Sequence, residues 1–226
     1  MSSATITTSA RLMNSTPQTE EQAMVRKVAV SSFLGNFIEW FDYASYSYFA
    51  TTIALVFFPT DNHTVAMLQT FGVFALSFIL RPIGALFWGS YGDKKGRKAA
   101  LAHSIMFMSG ASFLIGCLPS YSVIGVGAPI LLLLLRMVQG FSASGEYAGA
   151  ATFLGEYAPT SKRGIYCSLI PASTAIGLLA GSTLATLMTA NMNSSAMVGW
   201  GWRVPFLLSA VLVICLLYTS DAADDK

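Results

Sequence analysis

Acidic, phenolic and amide side chains recur at helical spacing within the first apolar stretch of the chain. Glu39, Asp42, Tyr43 and Tyr46 follow one another at i, i+3, i+4 and i+7, and residues at these offsets share one face of an α-helix. Asn36 lies one turn earlier. The pattern predicts a polar stripe along a helix that is otherwise apolar.

A second stripe lies in another apolar stretch, where Arg136, Gln139 and Glu146 fall on one helical face. If these stretches cross a membrane, each ionisable group costs about 2.5–3.5 kcal/mol in the hydrocarbon, so it normally faces a cavity or a partner. We expect both stripes to face a shared interior. The alternative is that Glu39 or Asp42 lies at a helix end and pairs with a loop charge.

This set of groups predicts chemistry with protons. A carboxyl shielded from water can bind and release a proton near neutral pH, and a guanidinium such as that of Arg136 favours its ionised form. An arginine that moves would therefore act as a switch for proton release. Sodium would use similar oxygen atoms, so coupling to sodium remains open.

Other reactive residues are scattered. The histidines, His63 and His103, are far apart, and the three cysteines, Cys117, Cys167 and Cys215, have no CxxC spacing. No nucleophile is paired with a base. We therefore predict no metal site, no cofactor and no enzyme activity.

The composition places these stripes in an integral membrane protein. The chain of 226 residues is 54% hydrophobic and only 11% charged, whereas globular domains contain about 25% charged residues; its mean hydropathy is +0.59. Apolar stretches of membrane length must be helical, because lipid leaves no other partner for the backbone. The predicted all-α spans are residues 28–57, 66–90, 99–118, 123–153, 164–190 and 202–218.

Residues 1–25 are polar and lack the apolar region of a signal peptide, so we expect a disordered cytoplasmic N-terminus. The distribution of basic residues gives the orientation, because cytoplasmic loops are rich in Lys and Arg. Arg203 alone lies on the opposite side. Of the 13 Lys and Arg, nine fall on the side predicted to be cytoplasmic: Arg11, Arg26, Lys27, Lys94, Lys95, Arg97, Lys98, Lys162 and Arg163.

Residues 89–98, GSYGDKKGRK, form a tight basic turn between two apolar stretches. This turn resembles the loop between helices two and three of the major facilitator superfamily. Further blocks resemble the metabolite:proton symporters of that superfamily. They are residues 35–42 (GNFIEWFD), 81–84 (RPIG), 93–98 (DKKGRK), 135–147 (LRMVQGFSASGEY), 155–159 (GEYAP), 162–164 (KRG) and 200–206 (WGWRVPF).

The resemblance implies the N-terminal six-helix half, residues 26–214, of a twelve-helix transporter in a bacterial inner membrane. It implies symport of a proton with a small zwitterion or carboxylate, as in the proline/betaine (osmoprotectant) branch. The organic-acid branch (α-ketoglutarate, citrate or shikimate) and a non-transporting receptor or scaffold are alternatives. The implied partners are the substrate, the proton, the bilayer and a missing C-terminal half; no nucleic acid is implied.

The resemblance also implies roles for single residues. Asp93 and Arg97 belong to a cytoplasmic latch between the two halves, with Glu156 as the charge partner of Arg97. Gly89, Gly96 and Lys98 complete the loop of this latch. Arg136 is the membrane-embedded arginine linked to proton movement.

The end of the chain departs from the family. Residues 215–224 can be written in codons that match a transposase mosaic-end adaptor used in DNA library preparation, so residues 215–226 are predicted to be its translation. Asp221, Asp224 and Asp225 are acidic where a basic loop is expected. We therefore expect the native sequence to stop near Ile214.

Overall fold

A computed structural model describes residues 16–144, 155 and 158–208 of the chain. Helices are the only regular elements in this part, and it contains no strand. In chain order the elements are α1 (Thr16–Tyr48), α2 (Ala50–Phe57), α3 (His63–Ile79), α4 (Arg81–Lys95), α5 (Arg97–Cys117), α6 (Tyr121–Ile124), α7 (Gly127–Ala143), α8 (Arg163–Asn191), α9 (Ser194–Gly199) and a 3-10 turn (Gly201–Arg203).

Three helical segments of the described residues are long and apolar enough to cross a membrane: His63–Lys95, Ala99–Cys117 and Arg163–Asn191. Helix α7 is apolar but shorter. Their outward faces carry large apolar side chains, such as Leu86 and Leu179, which are 78% and 66% exposed. Water would penalise such a surface, whereas lipid accepts it.

The helix boundaries differ from the predicted spans at several places, including a break between Ile124 and Gly127 inside the fourth span. Helix α1 begins at Thr16, inside the range expected to be a disordered leader, and a turn at Phe49 separates it from α2. The second predicted span divides at Leu80, immediately before Arg81 and Pro82. Pro82 is tolerated there because the first turn of a helix needs no hydrogen bond from its backbone nitrogen.

Glycines bring α1 and α8 into close contact. A Cβ atom at Gly177 would lie 2.6 Å from the carbonyl oxygen of Phe37, and one at Gly181 would lie 2.6 Å from the Cβ of Ala44. Only a residue without a side chain fits at such distances, as is common where membrane helices pack. These contacts hold α1 and α8 together as a tightly packed pair.

Glycines also allow α7 to pack closely against α3 and α4. A Cβ at Gly140 would lie 2.0 Å from the carbonyl oxygen of Ser77, and one at Gly84 would lie 2.2 Å from that of Phe141. The indole of Trp88 in α4 donates a 3.1 Å hydrogen bond to the same Phe141 carbonyl. This second packed group carries Arg136 on the buried face of α7.

Candidate functional site

An ion pair between α1 and α7 forms the centre of the site. Nη1 of Arg136 donates to Oδ2 of Asp42 at 2.6 Å. Arg136 is 0% exposed and Asp42 is 4% exposed. Ser112 of α5 donates to the other carboxylate oxygen at 3.3 Å, and Nε2 of Gln139 donates to Ser112 at 2.6 Å. Side chains from two other helices, α5 and α7, thus hold this carboxylate.

The guanidinium of Arg136 has unused donors. Its Nε and Nη2 atoms are buried and have no hydrogen-bond partner among the described residues. One face lies over the ring of Tyr46, with Cζ 3.9 Å from the ring centroid, and the Tyr46 hydroxyl donates to the Thr70 carbonyl oxygen at 2.9 Å. A cation–π contact of this kind stabilises a desolvated cation. The Phe206 ring also lies near the guanidinium, 5.4 Å from Cζ to the ring centroid. Arg136 is therefore held by one carboxylate and two rings, and two of its donor atoms remain without a partner among the described residues.

A second ion pair lies one turn earlier on α1. Nη2 of Arg81 donates to the Glu39 carboxylate and to the Tyr43 hydroxyl. The guanidinium lies over the rings of Phe78 and Tyr43, 4.6 Å and 5.3 Å from their centroids. Glu39 is thus buried in the interior and paired, so it does not lie at a helix end.

Asn36 connects α1 to α8. Its amide nitrogen lies 2.7 Å and 2.8 Å from the hydroxyls of Ser173 and Thr174 and 3.1 Å from the Ile170 carbonyl oxygen. Its amide oxygen accepts from the indole of Trp40 at 3.2 Å. Its contacts are those of a packed helix interface, and its place in the substrate pathway stays a prediction.

Several residues of the two predicted stripes come together. A narrow void is lined by Glu39, Asp42, Tyr43 and Gln139, with Met108 of α5 completing its wall. The void thus borders the acidic residue of each ion pair. Glu146 and Glu156 fall outside the described residues, so their proposed roles stay predictions.

The predicted latch loop forms the turn between α4 and α5. Gly96 has φ of +95°, a conformation that favours glycine, and it is the residue between the two helices. Lys94 and Lys95 form the last turn of α4, where cations interact favourably with the helix dipole. Gly89 and Asp93 belong to α4, and Arg97 and Lys98 begin α5. The turn is confirmed at Gly96 alone, because residues 89–95 and 97–98 of the predicted turn are helical, and its function as a latch stays a prediction.

Sequence reasoning missed the pairing of Glu39 with Arg81. The signal was present, because Arg81 interrupts an apolar stretch and a charge at that depth requires a partner. Ser112 and Thr70 were also missed. Hydroxyls in apolar helices carry no such signal, since they can bond to their own backbone.

Residues 27–223 match the sugar (and other) transporter family. The chain belongs to this family. It is 40% identical over 205 residues to the proline/betaine transporter of Escherichia coli K12, a match that covers 91% of this chain and 41% of that protein. It is 39% identical over 225 residues to the α-ketoglutarate permease of the same organism, covering 100% of this chain and 51% of the permease.

Solved structures agree on the fold. The proton:xylose symporter XylE, a major facilitator superfamily protein, superposes with a TM-score of 0.76 at 16% identity, over 89% of this chain and 45% of that one. A likeness at this identity shows the fold alone. The chain spans about half the length of the relatives it matches, and it has the fold of the N-terminal half of a major facilitator transporter. The assignment of residues 215–226 to an adaptor stays a prediction.

Proposed function

We propose that the full-length protein is a secondary active transporter that moves a small zwitterionic metabolite, of the proline or betaine type, together with a proton. The observation that carries this proposal is the Asp42–Arg136 pair, which is buried between two helices of the bundle. A buried pair of this kind is weak evidence for stability, because desolvation offsets the attraction of the charges. Its retention in a membrane helix bundle instead favours a role in function.

Protonation of Asp42 would break the pair. The neutral acid no longer compensates the guanidinium, and an uncompensated buried charge costs about 3–5 kcal/mol. Arg136 would then have to find another partner or move, and its unused Nε and Nη2 donors are available for one. Proton binding would in this way be linked to a rearrangement of α7 against α1, which alternating access between two halves requires.

A proton fits this site better than sodium. A sodium ion at Asp42 would lie beside the guanidinium that already contacts the carboxylate at 2.6 Å, and the two cations would repel each other. Sodium coupling is therefore the alternative that the transport assay must exclude.

The relatives support the substrate class. Besides the E. coli protein, a putative proline/betaine transporter of Staphylococcus aureus (strain COL) is 42% identical over 194 residues. The second candidate is an organic acid, favoured by the match to α-ketoglutarate permease over 225 residues. A receptor or scaffold without transport would have no use for a charge pair that protonation can open.

We also propose that the loop containing Asp93 and Arg97 stabilises one conformational state of the transporter. With Glu156 as the partner of Arg97, it would hold the two halves together on the cytoplasmic side. The basic residues around it support an N-terminus in the cytoplasm of a bacterial cell, because cytoplasmic loops are rich in Lys and Arg.

The test is uptake of radiolabelled glycine betaine and α-ketoglutarate by the full-length transporter in proteoliposomes, with and without an imposed pH gradient and without sodium. We expect Asp42→Asn to abolish accumulation driven by the gradient but to retain exchange of substrate across the membrane. Arg136→Ala should abolish gradient-driven uptake in protein that still elutes as a folded species from a sizing column. Asp61→Asn, an exposed loop acid, is the matched control. Unchanged gradient-driven accumulation by Asp42→Asn would refute the proposed coupling site.

A further inference from the structure

The Arg81 guanidinium is fixed on one side and open on the other. Only Nη2 makes hydrogen bonds, to Glu39 and Tyr43, and Nη1 has no bond to any residue in the described part of the chain. The Arg81 side chain is 29% exposed, whereas that of Glu39 is 4% exposed. The guanidinium of Arg81 is therefore partly accessible, whereas the carboxylate of Glu39 is buried.

The surroundings fix the orientation of this guanidinium. The Phe78 and Tyr43 rings lie against it, with centroids within 5.3 Å of Cζ. Glu39 and the Tyr43 hydroxyl both contact the same nitrogen. A planar guanidinium has five donors in a fork that matches a carboxylate, so a held guanidinium with free donors is preorganised for one.

We infer that Arg81 binds the carboxylate of the transported metabolite, with Glu39 and Tyr43 as positioning residues. This inference rests on the proposed function, and it places substrate binding at a charge pair separate from Asp42–Arg136. A carboxylate is common to the zwitterionic and organic-acid candidates. The two pairs lie one turn apart on α1, so a substrate at Arg81 and a proton at Asp42 act on the same short stretch of helix.

The net charge of the two ion pairs distinguishes the zwitterionic substrate from the dicarboxylate. While Asp42 is ionised, Glu39 balances Arg81 and Asp42 balances Arg136, so these four groups sum to zero. A zwitterion brings its own positive charge and leaves the site neutral. A dicarboxylate adds uncompensated negative charge in a place where charge is costly. With Asp42 ionised, the site therefore favours glycine betaine over α-ketoglutarate.

The experiment measures KM and kcat of the full-length transporter for glycine betaine and α-ketoglutarate. Arg81→Lys keeps the charge but lacks the fork, so we expect KM for betaine to rise at least tenfold while kcat changes less than twofold. Tyr43→Phe should raise KM several-fold, because the guanidinium loses one of its two fixed contacts. Choline, which has the cation but no carboxylate, should inhibit the wild type and Arg81→Lys equally.

Arg203→Lys is the matched control, because Arg203 donates to two backbone carbonyls, those of Gly199 and Leu118. It should lower thermal stability and leave KM unchanged.

An unchanged KM in Arg81→Lys, in a transporter whose wild type shows uptake driven by the pH gradient, would overturn the inference and leave the proposed function standing. A wild type without gradient-driven uptake would refute the proposed function, and KM measured from substrate exchange would still test Arg81. If only α-ketoglutarate is transported and its KM rises in Arg81→Lys, the carboxylate role is supported and the preference for zwitterions is refuted.

Discussion

The close packing of α7 against α3 can be tested for its effect on the ion pair of Arg136. Gly140 lies one turn from Arg136 on α7, and a Cβ added there would lie 2.0 Å from the Ser77 carbonyl oxygen and 2.7 Å from its carbon. Both atoms belong to the backbone of α3, so no side chain can rotate away. Gly140→Ala must therefore separate the two helices.

The size of this shift follows from the contact. Ordinary contact of a Cβ begins near 3.4 Å, so the two atoms must move apart by about 1.4 Å. Overpacking of this kind typically costs about 1–3 kcal/mol, which exceeds the roughly 1 kcal/mol that alanine gains over glycine in a helix. A shift of that size at Arg136 would also stretch its 2.6 Å contact with Asp42 beyond hydrogen-bond range.

The assay is thermal unfolding of the purified full-length transporter in detergent, together with gradient-driven uptake in proteoliposomes. We expect Gly140→Ala to lower the unfolding midpoint by several degrees and to reduce uptake. Gly110→Ala in α5 is the control, because a Cβ there meets nothing within 4 Å; it should leave both measurements at or slightly above wild type. Equal midpoints and equal uptake for the two variants would refute the argument that the glycine is required by backbone contact.

Two further predictions test the topology and the contact between α1 and α8. Cysteines placed at Lys94 and Lys162 should react with an impermeant reagent only in inverted vesicles, while one at Asp61 should react in intact cells; reaction at position 94 from outside would reverse the orientation. Asn36→Ala should lower the unfolding free energy by about 1–3 kcal/mol, because two hydroxyls of α8 lose a donor; a raised substrate KM at unchanged stability would instead place Asn36 in the pathway.

Helical periodicity predicted the inward face of α1 well. Glu39, Asp42, Tyr43 and Tyr46 are all buried, with exposed fractions of 6% or less, because charge and hydroxyl groups avoid hydrocarbon and their spacing fixes which face they share. The same spacing placed Asn36 on this stripe, but its amide bonds to α8. Periodicity gives the face of a helix and does not say which neighbour that face meets.

The ion-pair partner of a charged residue was harder to predict than the helix face on which that residue lies. The sequence marks Arg81, Glu39 and Asp42 as charges that need compensation, but which acid meets which base depends on how the helices are arranged. The division at Leu80 brings Arg81 to the start of α4 and beside Glu39. Such close approaches depend on glycine contacts between distant segments, which no local pattern specifies.

The two ion pairs lie at the seam between the two packed groups of helices. Gly177 and Gly181 lock α8 onto α1, whereas Gly84 and Gly140 lock α4 and α3 onto α7. Asp42 and Glu39 belong to the first group, and Arg136 and Arg81 to the second. Within each group, backbone contacts leave no room for sliding, while across the seam the contacts are charges that a proton or a competing carboxylate can replace. A change at either pair would therefore act on the seam and leave the interior of each group as it is.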